Sequence, residues 1–179
     1  YSITVPANHI VGASGELLNP REVLTKEQYK RLQKARNSEE TVFIRKPEEV
    51  NKGGDRPDGG QDGMLTWKYR MENTRDIAWA SSKSFIWDAA SGTVDGRNIL
   101  YSSIYPVESS GEKAWGRSTE YTKWSIEYYS DKWYAYPWNS AVNVAGVVGG
   151  MEYPGVSFCS WKAEGAGLMG VGKIGRAHV

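Results

Sequence analysis

The strongest constraint on the fold is a run of small and β-branched apolar residues, near the end of the chain, that glycine interrupts. Residues 141–148 read AVNVAGVV, a composition typical of a buried strand. Gly149 and Gly150 break the run, which resumes beyond Pro154. The sequence therefore predicts two strands flanking a glycine pair, with a single carboxylate, Glu152, held between the glycines and the proline.

The setting of Glu152 admits a structural and a binding interpretation. A glutamate beside glycines at the end of a strand is most often a solvated turn residue. Here, however, Gly149 and Gly150 permit close backbone approach or unusual torsion angles, and Pro154 restricts the exit direction. The pattern predicts a rigid support from which the carboxylate can pair with a cationic ligand group, an interaction worth about 1.5–3 kcal/mol.

Residues 1–90 have the pattern of a β-rich domain with one short helix. Leu65 and Trp67 belong to a strict alternation of apolar and polar residues, which indicates a half-buried strand. Thr25 and Gln28 form a capping-box signature, which predicts the start of a helix. The turn-rich segment ASGTVDG, near residue 90, is the best candidate for a domain boundary.

Residues 91–172 combine strand and helix patterns, so the fold class predicted for the chain is mixed α/β. A strand is followed by a long helix, predicted to begin near Ser110. Large aromatic side chains recur along this helix at a spacing that places them on one side, and we expect that side to pack into the core. The aromatic residues of this stripe are Tyr121, Trp124, Tyr128 and Trp133.

Charge and composition exclude several classes of function. The 22 basic and 21 acidic residues give a formal charge of +1, so no electrostatic surface for nucleic acid is indicated. No apolar run is long enough to span a bilayer. The single cysteine, Cys159, excludes an intramolecular disulfide and a cysteine-rich zinc site, and is expected to be a small buried strand residue. His9 is expected to be a half-buried strand or loop residue, so no metal site is predicted in this chain.

Two segments carry separate predictions. The glycine- and aspartate-rich residues 51–63 could be a calcium loop or a surface connection, and the spacing of Asp55, Asp58 and Asp62 favours the surface connection. Residues 173–179 lack any helix or strand pattern, and IGRAHV corresponds to the translation of a widely used sequencing-library adapter. We therefore expect this tail, with its His178, to lie outside the natural protein.

The segment GGMEY, residues 149–153, resembles the G-x-M-E-N exopeptidase motif of the M1 zinc metallopeptidases, the gluzincin aminopeptidases. The preceding segments TWKYRMENTRDIAWASSKSFIWDAA and YYSDKWYAYPWNSAVNVAGVV are similar, in the same order, to the strand that ends that family's N-terminal β domain and to the helix, turn and strand that lead to the motif. The resemblance covers most of residues 65–172. It departs from the common family form at Tyr153 and Pro154, where asparagine and tryptophan are usual.

The resemblance implies a fold, a substrate and a cofactor. Residues 1–90 would be the C-terminal part of an all-β N-terminal domain, and residues 91–172 the start of a thermolysin-like catalytic domain. Glu152 would bind the free α-ammonium group of a peptide substrate, and Gly149, Gly150 and Met151 would contact the first residues of the peptide through their backbone.

The family's Zn²⁺ ligands and general base, in H-E-x-x-H and on the next helix, would follow this motif in a longer parent protein. The chain alone is therefore expected to be an inactive fragment of a zinc aminopeptidase. Two alternatives remain open: an M1-like scaffold that has lost its metal, and a β-rich module whose aromatic residues bind ligands.

Overall fold

A computed structural model describes residues 1–50, 52 and 63–162. The aspartates of the predicted surface connection (Asp55, Asp58 and Asp62) and the predicted adapter-derived tail, residues 173–179, lie outside the described residues.

Within the described ranges the chain forms eleven strands and three α-helices. The strands are β1 (Ser2–Pro6), β2 (Ile10–Ala13), β3 (Glu16–Leu17), β4 (Val42–Arg45), β5 (Met64–Arg70), β6 (Trp79–Ser82), β7 (Phe85–Val94), β8 (Arg97–Pro106), β9 (Ser140–Gly146), β10 (Met151–Tyr153) and β11 (Val156–Ser160). The helices are α1 (Pro20–Val23), α2 (Lys26–Ala35) and α3 (Ser118–Lys132).

Six of the strands form one large sheet in the order β10-β11-β9-β8-β7-β4. Strands β8, β9 and β11 run parallel, and the remaining pairs are antiparallel. Helix α3 connects β8 to its parallel neighbour β9, because parallel neighbours cannot be joined by a tight turn. The mixed α/β prediction is therefore confirmed at the level of these elements.

A hairpin joins β7 to β8 inside the large sheet. Its turn is Asp95–Gly96, and both residues have positive φ, 49° and 73°, as a two-residue turn of type I′ requires. The residues before this turn continue β7, so the predicted boundary after residue 90 falls within a strand that pairs with β4 on one side and β8 on the other. The division of the chain into two domains stays a prediction.

The remaining strands cover one face of the large sheet. They form a three-stranded sheet, β1-β5-β3, and a two-stranded sheet, β2-β6. The expected strand at Leu65 and Trp67 is confirmed as β5, with Trp67 fully buried. Side chains of β1, β2, β5 and α2 pack with Trp87 and Ile104 of the large sheet, and we call this cluster the first core.

Helix α3 covers the opposite face of the large sheet. Tyr101 and Tyr105 of β8 alternate with the first-core residue Ile104 and point to this face, where they pack with Ile126 of α3. We call this cluster the second core. With a core on each face, β8 is buried over residues 99–105 and the apolar run is buried over residues 141–145, as predicted, whereas Val147 and Val148 at the end of the run are exposed.

The predicted start of α2 is confirmed. The Gln28 backbone N–H donates to Thr25 Oγ1 at 3.2 Å, and the Thr25 backbone N–H donates to Gln28 Oε1 at 3.1 Å. This reciprocal pair satisfies two N–H groups that have no partner inside the helix. The capping box depends only on residues three apart, which is why the sequence alone predicted it.

The predictions for α3 are wrong in two respects. The helix begins at Ser118 and not near Ser110, because Gly111 takes φ +115° and a short 3₁₀ turn precedes the helix. Most of the aromatic stripe is not core: Tyr121 packs half-buried against the second core, but Trp124 and Trp133 are 63% and 54% exposed. Four small polar side chains and Ile126 face the sheet instead, because Tyr101 and Tyr105 fill much of the space beneath the helix. The buried residues of α3 are Ser118, Thr119, Thr122, Ser125 and Ile126.

Candidate functional site

The glycine pair and Glu152 lie at one edge of the large sheet. Strand β9 ends at Gly146, and the bends that follow carry the chain to β10, the outermost strand on that side. Gly150 has φ +139°, a torsion angle that other residues rarely adopt, as expected for the break in the apolar run. An edge strand presents unpaired N–H and C=O groups to which an extended peptide can bind.

Glu152 is the half-buried middle residue of β10. It lies opposite Ser157 of β11 in the strand register. Among the described residues, no group donates a hydrogen bond to its carboxylate or forms an ion pair with it. Met151, by contrast, is 43% exposed, and the apolar Val147 and Val148 before the glycine pair are exposed as well. Within the part of the chain that the structure describes, the edge thus presents an unpaired carboxylate beside apolar surface.

The turn after β10 is attached to the first half of the chain. Pro154 and Gly155 connect β10 to β11, and Gly155 has φ +71°. The hydroxyl of the fully buried Ser14 donates to the Pro154 carbonyl oxygen at 2.7 Å. The same hydroxyl accepts the Ala78 backbone N–H at 3.0 Å. Sequence reasoning missed Ser14, because no local pattern indicates a contact with a residue 140 positions away.

Replacing this serine tests the attachment. Ser14→Ala is expected to lower the free energy of unfolding by about 1–3 kcal/mol, because the buried Ala78 N–H loses its acceptor. Urea denaturation of the full chain measures this. Ser38→Ala is the matched control, since Ser38 bonds a carbonyl at an exposed position. Equal stabilities for the two variants would contradict the attachment.

A buried carboxyl group on the large sheet is a second residue that sequence reasoning missed. Asp88 on β7 is 1% exposed and accepts hydrogen bonds from Tyr105 Oη, at 2.6 Å, and from the Thr119 hydroxyl. Burial raises its pKa to about 7, against the two hydrogen bonds, which lower it. An aspartate inside the apolar run FIWDAA was the available signal, since a charged residue within such a run is seldom buried without partners.

Comparison with known proteins finds similarity in structure alone. No protein-family model and no curated protein sequence matches the chain. The M1 zinc metallopeptidase of Deinococcus radiodurans matches with a TM-score of 0.54 and 12% identity, over 95% of this chain and 32% of that one. Mutant forms of a two-domain M1 zinc metallopeptidase bound to L-tryptophan and to L-arginine match with the same score and identity, over 89% and 97% of this chain and 29% and 32% of theirs.

The chain shares the fold of M1 zinc metallopeptidases. At 12% identity the similarity concerns the fold, and the chain spans about a third of the length of the matching chains, 29–32%. The elements that position Glu152, from the β7–β8 hairpin to β11, are part of a fold that supports zinc-dependent peptidases in other proteins.

The described residues of this M1-like fold do not fit a zinc site. Zinc sites in proteins converge three or four histidine, cysteine or carboxylate ligands. Residues 1–50, 52 and 63–162 contain no group of three or more such side chains placed to hold a metal. His9 Nδ1 instead lies 3.1 Å from Ser81 Oγ, and Cys159 is half-buried against the second core. No chemical step is therefore assigned to zinc within these residues.

The described part of the chain also bears on the membrane prediction. None of its helices combines the length and the apolar composition that a membrane span requires.

Proposed function

We propose that this chain is part of an M1-type aminopeptidase and that Glu152 binds the free α-ammonium group of the peptide substrate. The observation that supports the proposal is a half-buried carboxylate, without a partner among the described residues, on the edge strand of an M1-like sheet. A carboxylate in this environment gains more from an ammonium group than a fully solvated one does, because a desolvated ion pair is less screened.

The residues around Glu152 would orient the peptide. Met151 begins the edge strand β10, where N–H and C=O groups are available to an extended chain, and the bend residues Gly149 and Gly150 lead directly into it. Pairing with the terminal ammonium would place the first peptide bond at a constant distance from Glu152. This arrangement would restrict cleavage to the first residue, which is the property that defines an aminopeptidase.

The metal and the general base would come from a longer parent protein. In that protein Zn²⁺ would polarise the scissile carbonyl group and activate water. The contribution of the present chain is positioning, which can change a rate by orders of magnitude. If the parent protein is instead an M1-like scaffold without metal, the chain is still expected to bind the amine, and no hydrolysis is expected.

The test begins with the chain as it exists. In an NMR titration of the labelled chain, a short peptide with a free N-terminus is expected to shift the amide signals of residues 149–153, and its N-acetylated form is not. Glu152→Gln should abolish the difference between the two peptides, whereas Glu72→Gln, at a largely exposed site, should preserve it. Equal shifts for the free and acetylated peptides would contradict the amine-binding role.

Extending the coding sequence then separates the remaining alternatives. If H-E-x-x-H follows, Glu152→Gln in the longer enzyme is expected to lower kcat/KM for unblocked peptides by about 10- to 100-fold, the loss of one charge-assisted hydrogen bond. Hydrolysis assays with and without a chelator measure this. If the histidines are missing while the NMR titration shows amine binding, the metal-free scaffold is the better account.

A further inference from the structure

A row of polar side chains crosses the large sheet beneath α3. In the strand register Asp88 lies opposite Ser103, Ser103 opposite Asn143, and Asn143 opposite Ser157. Neighbouring strands are about 4.7–4.9 Å apart, and residues opposite one another point to the same face of the sheet. All four are buried, with exposures of 1%, 0%, 0% and 3%. Four adjacent polar residues thus occupy the interior of an otherwise apolar layer.

The row faces α3 and not the first core. Ser103 lies on β8 between Tyr101 and Tyr105, both of which pack against α3 in the second core. At one end of the row, Thr119 of α3 donates its hydroxyl hydrogen bond to Asp88. The residue before it, Ser118, is fully buried as well. The beginning of α3 therefore contacts the Asp88 end of the row, and Ser118 is a second buried hydroxyl residue, next to Thr119 in the chain.

Four buried polar atoms in this region have no hydrogen-bond partner among the described residues. They are Ser103 Oγ, Ser118 Oγ, and both the oxygen and the nitrogen of the Asn143 side-chain amide. Ser103 and Asn143 are directly opposite each other, and Ser118 is next to the residue that bonds Asp88. Buried polar atoms are nearly always paired in proteins, because an unpaired one loses its hydration without compensation. Such a concentration in one place indicates a ligand that supplies hydrogen bonds.

We propose an internal hydration site between α3 and this row, in which enclosed water bridges the Asn143 amide to the Ser103 and Ser118 hydroxyls. A buried water molecule makes about three hydrogen bonds and both donates and accepts. The amide offers two donors and an acceptor, and each hydroxyl offers one donor and two lone pairs, so the set can satisfy a water completely. The water would link α3 to β8 and β9 through hydrogen bonds that the side chains do not make directly.

Replacing the amide by an apolar group of similar size tests this site in the full chain. If water satisfies Asn143, then Asn143→Leu removes bridged hydrogen bonds and is expected to lower Tm by about 2–6 °C. Asn19→Leu is the matched control for a satisfied amide, because Asn19 Nδ2 donates to Thr66 O at 2.9 Å and Asn19 Oδ1 accepts the Lys68 N–H at 2.9 Å. Asn143→Leu should therefore change Tm in the same direction as Asn19→Leu. A rise in Tm would overturn the proposal, since removing an unpaired amide stabilises a protein.

A measurement on the unaltered chain keeps the proposal testable if the leucine variant does not fold. The side-chain amide protons of Asn143 are expected to show NOE signals to water, with the sign given by water that tumbles with the protein. Ser103→Ala, which removes one of the proposed partners, should weaken these signals while the fold persists. Absence of the NOE signals in the wild-type chain, or their complete indifference to Ser103→Ala, would show that Asn143 does not share an enclosed water with Ser103.

Discussion

Gly15→Ala is expected to lower the free energy of unfolding by about 2–5 kcal/mol. Gly15 precedes β3 and has φ +92°, a torsion angle at which a side chain is strained. A Cβ atom at this position would lie 2.3 Å from the Arg70 carbonyl oxygen and 2.8 Å from the Arg70 carbonyl carbon. These are backbone atoms of β5, so no side chain can rotate to make room. Strands β3 and β5 therefore have to move apart to accommodate the alanine side chain.

The effect should extend to the candidate site. Gly155, in the turn after β10, lies close to Gly15: a Cβ atom placed on Gly155 would be 3.7 Å from the Gly15 backbone nitrogen. The hydroxyl of the neighbouring Ser14 donates to the Pro154 carbonyl oxygen in the same turn. A displaced Gly15 therefore displaces the support of β10. We expect Gly15→Ala to weaken the binding of an amine-bearing peptide as well as stability, whereas Ser14→Ala changes stability by a smaller amount.

Gly96→Ala is the control that separates backbone strain from steric conflict. Gly96 has φ +73° in the β7–β8 turn, and nothing lies within 4 Å of a Cβ atom placed there. Gly96→Ala should therefore lower the free energy of unfolding only by the cost of the strained torsion angle, about 1–2 kcal/mol. Urea denaturation of both variants gives the comparison. A loss at Gly15 no greater than the loss at Gly96 would mean that Arg70 moves away at no cost, contrary to the structure.

Features that depend on neighbouring residues could be predicted from the sequence. The capping box of Thr25 and Gln28 depends on residues three apart, and β5 follows from the alternation at Leu65 and Trp67. Glycine at residue 150 was predicted to allow an unusual torsion angle, and it has φ +139°. In each case the physical cause is contained in one short segment, so the segment alone was sufficient.

Features that depend on residues far apart in the chain could not be predicted from the sequence. The spacing of Trp124 and Tyr128 correctly places them on one side of α3, but periodicity does not say which side meets the sheet. That choice depends on the large Tyr101 and Tyr105 side chains of β8, and the helix residues buried on this side are four small polar residues and Ile126. The exposed rings stack on each other instead, with the Trp124 and Tyr128 centroids 5.2 Å apart.

The candidate site also combines a feature that the sequence predicted with one that only the fold reveals. The motif predicted a carboxylate after a glycine pair, and Glu152 lies on an edge strand. Its role as an amine ligand stays a prediction. The Ser14 hydrogen bond that supports the adjacent turn links residues 140 positions apart, and no pattern in the sequence reports it. The site is therefore a local motif held in place by contacts that only the fold creates.

Asp88 is expected to make the stability of the chain fall as the pH rises from about 4 to about 7. Burial raises the pKa of this carboxyl group from its ordinary value of 3.8 to about 7 in the folded chain. Between these values the folded state retains a proton that the unfolded state releases, so the free energy of unfolding decreases with pH. The contribution is fully present below about pH 4 and is lost above about pH 7. A difference of about three pKa units corresponds to at most about 4 kcal/mol.

Asp88→Asn isolates this contribution, because an amide has nearly the same shape and does not ionise. The hydroxyls of Tyr105 and Thr119, which donate to the carboxylate, can each donate or accept and so can pair with the amide. Urea denaturation of the wild type and the variant at pH 5 and pH 8 gives the result. The wild type should lose stability between the two pH values, and the variant should lose much less. The pKa of Glu127 is raised too, mainly by burial, but Glu127 is present in both proteins and cancels in the comparison. If the two proteins lose stability equally, Asp88 is already ionised in the folded chain at pH 5, and its two hydroxyl partners stabilise the charge more strongly than burial destabilises it.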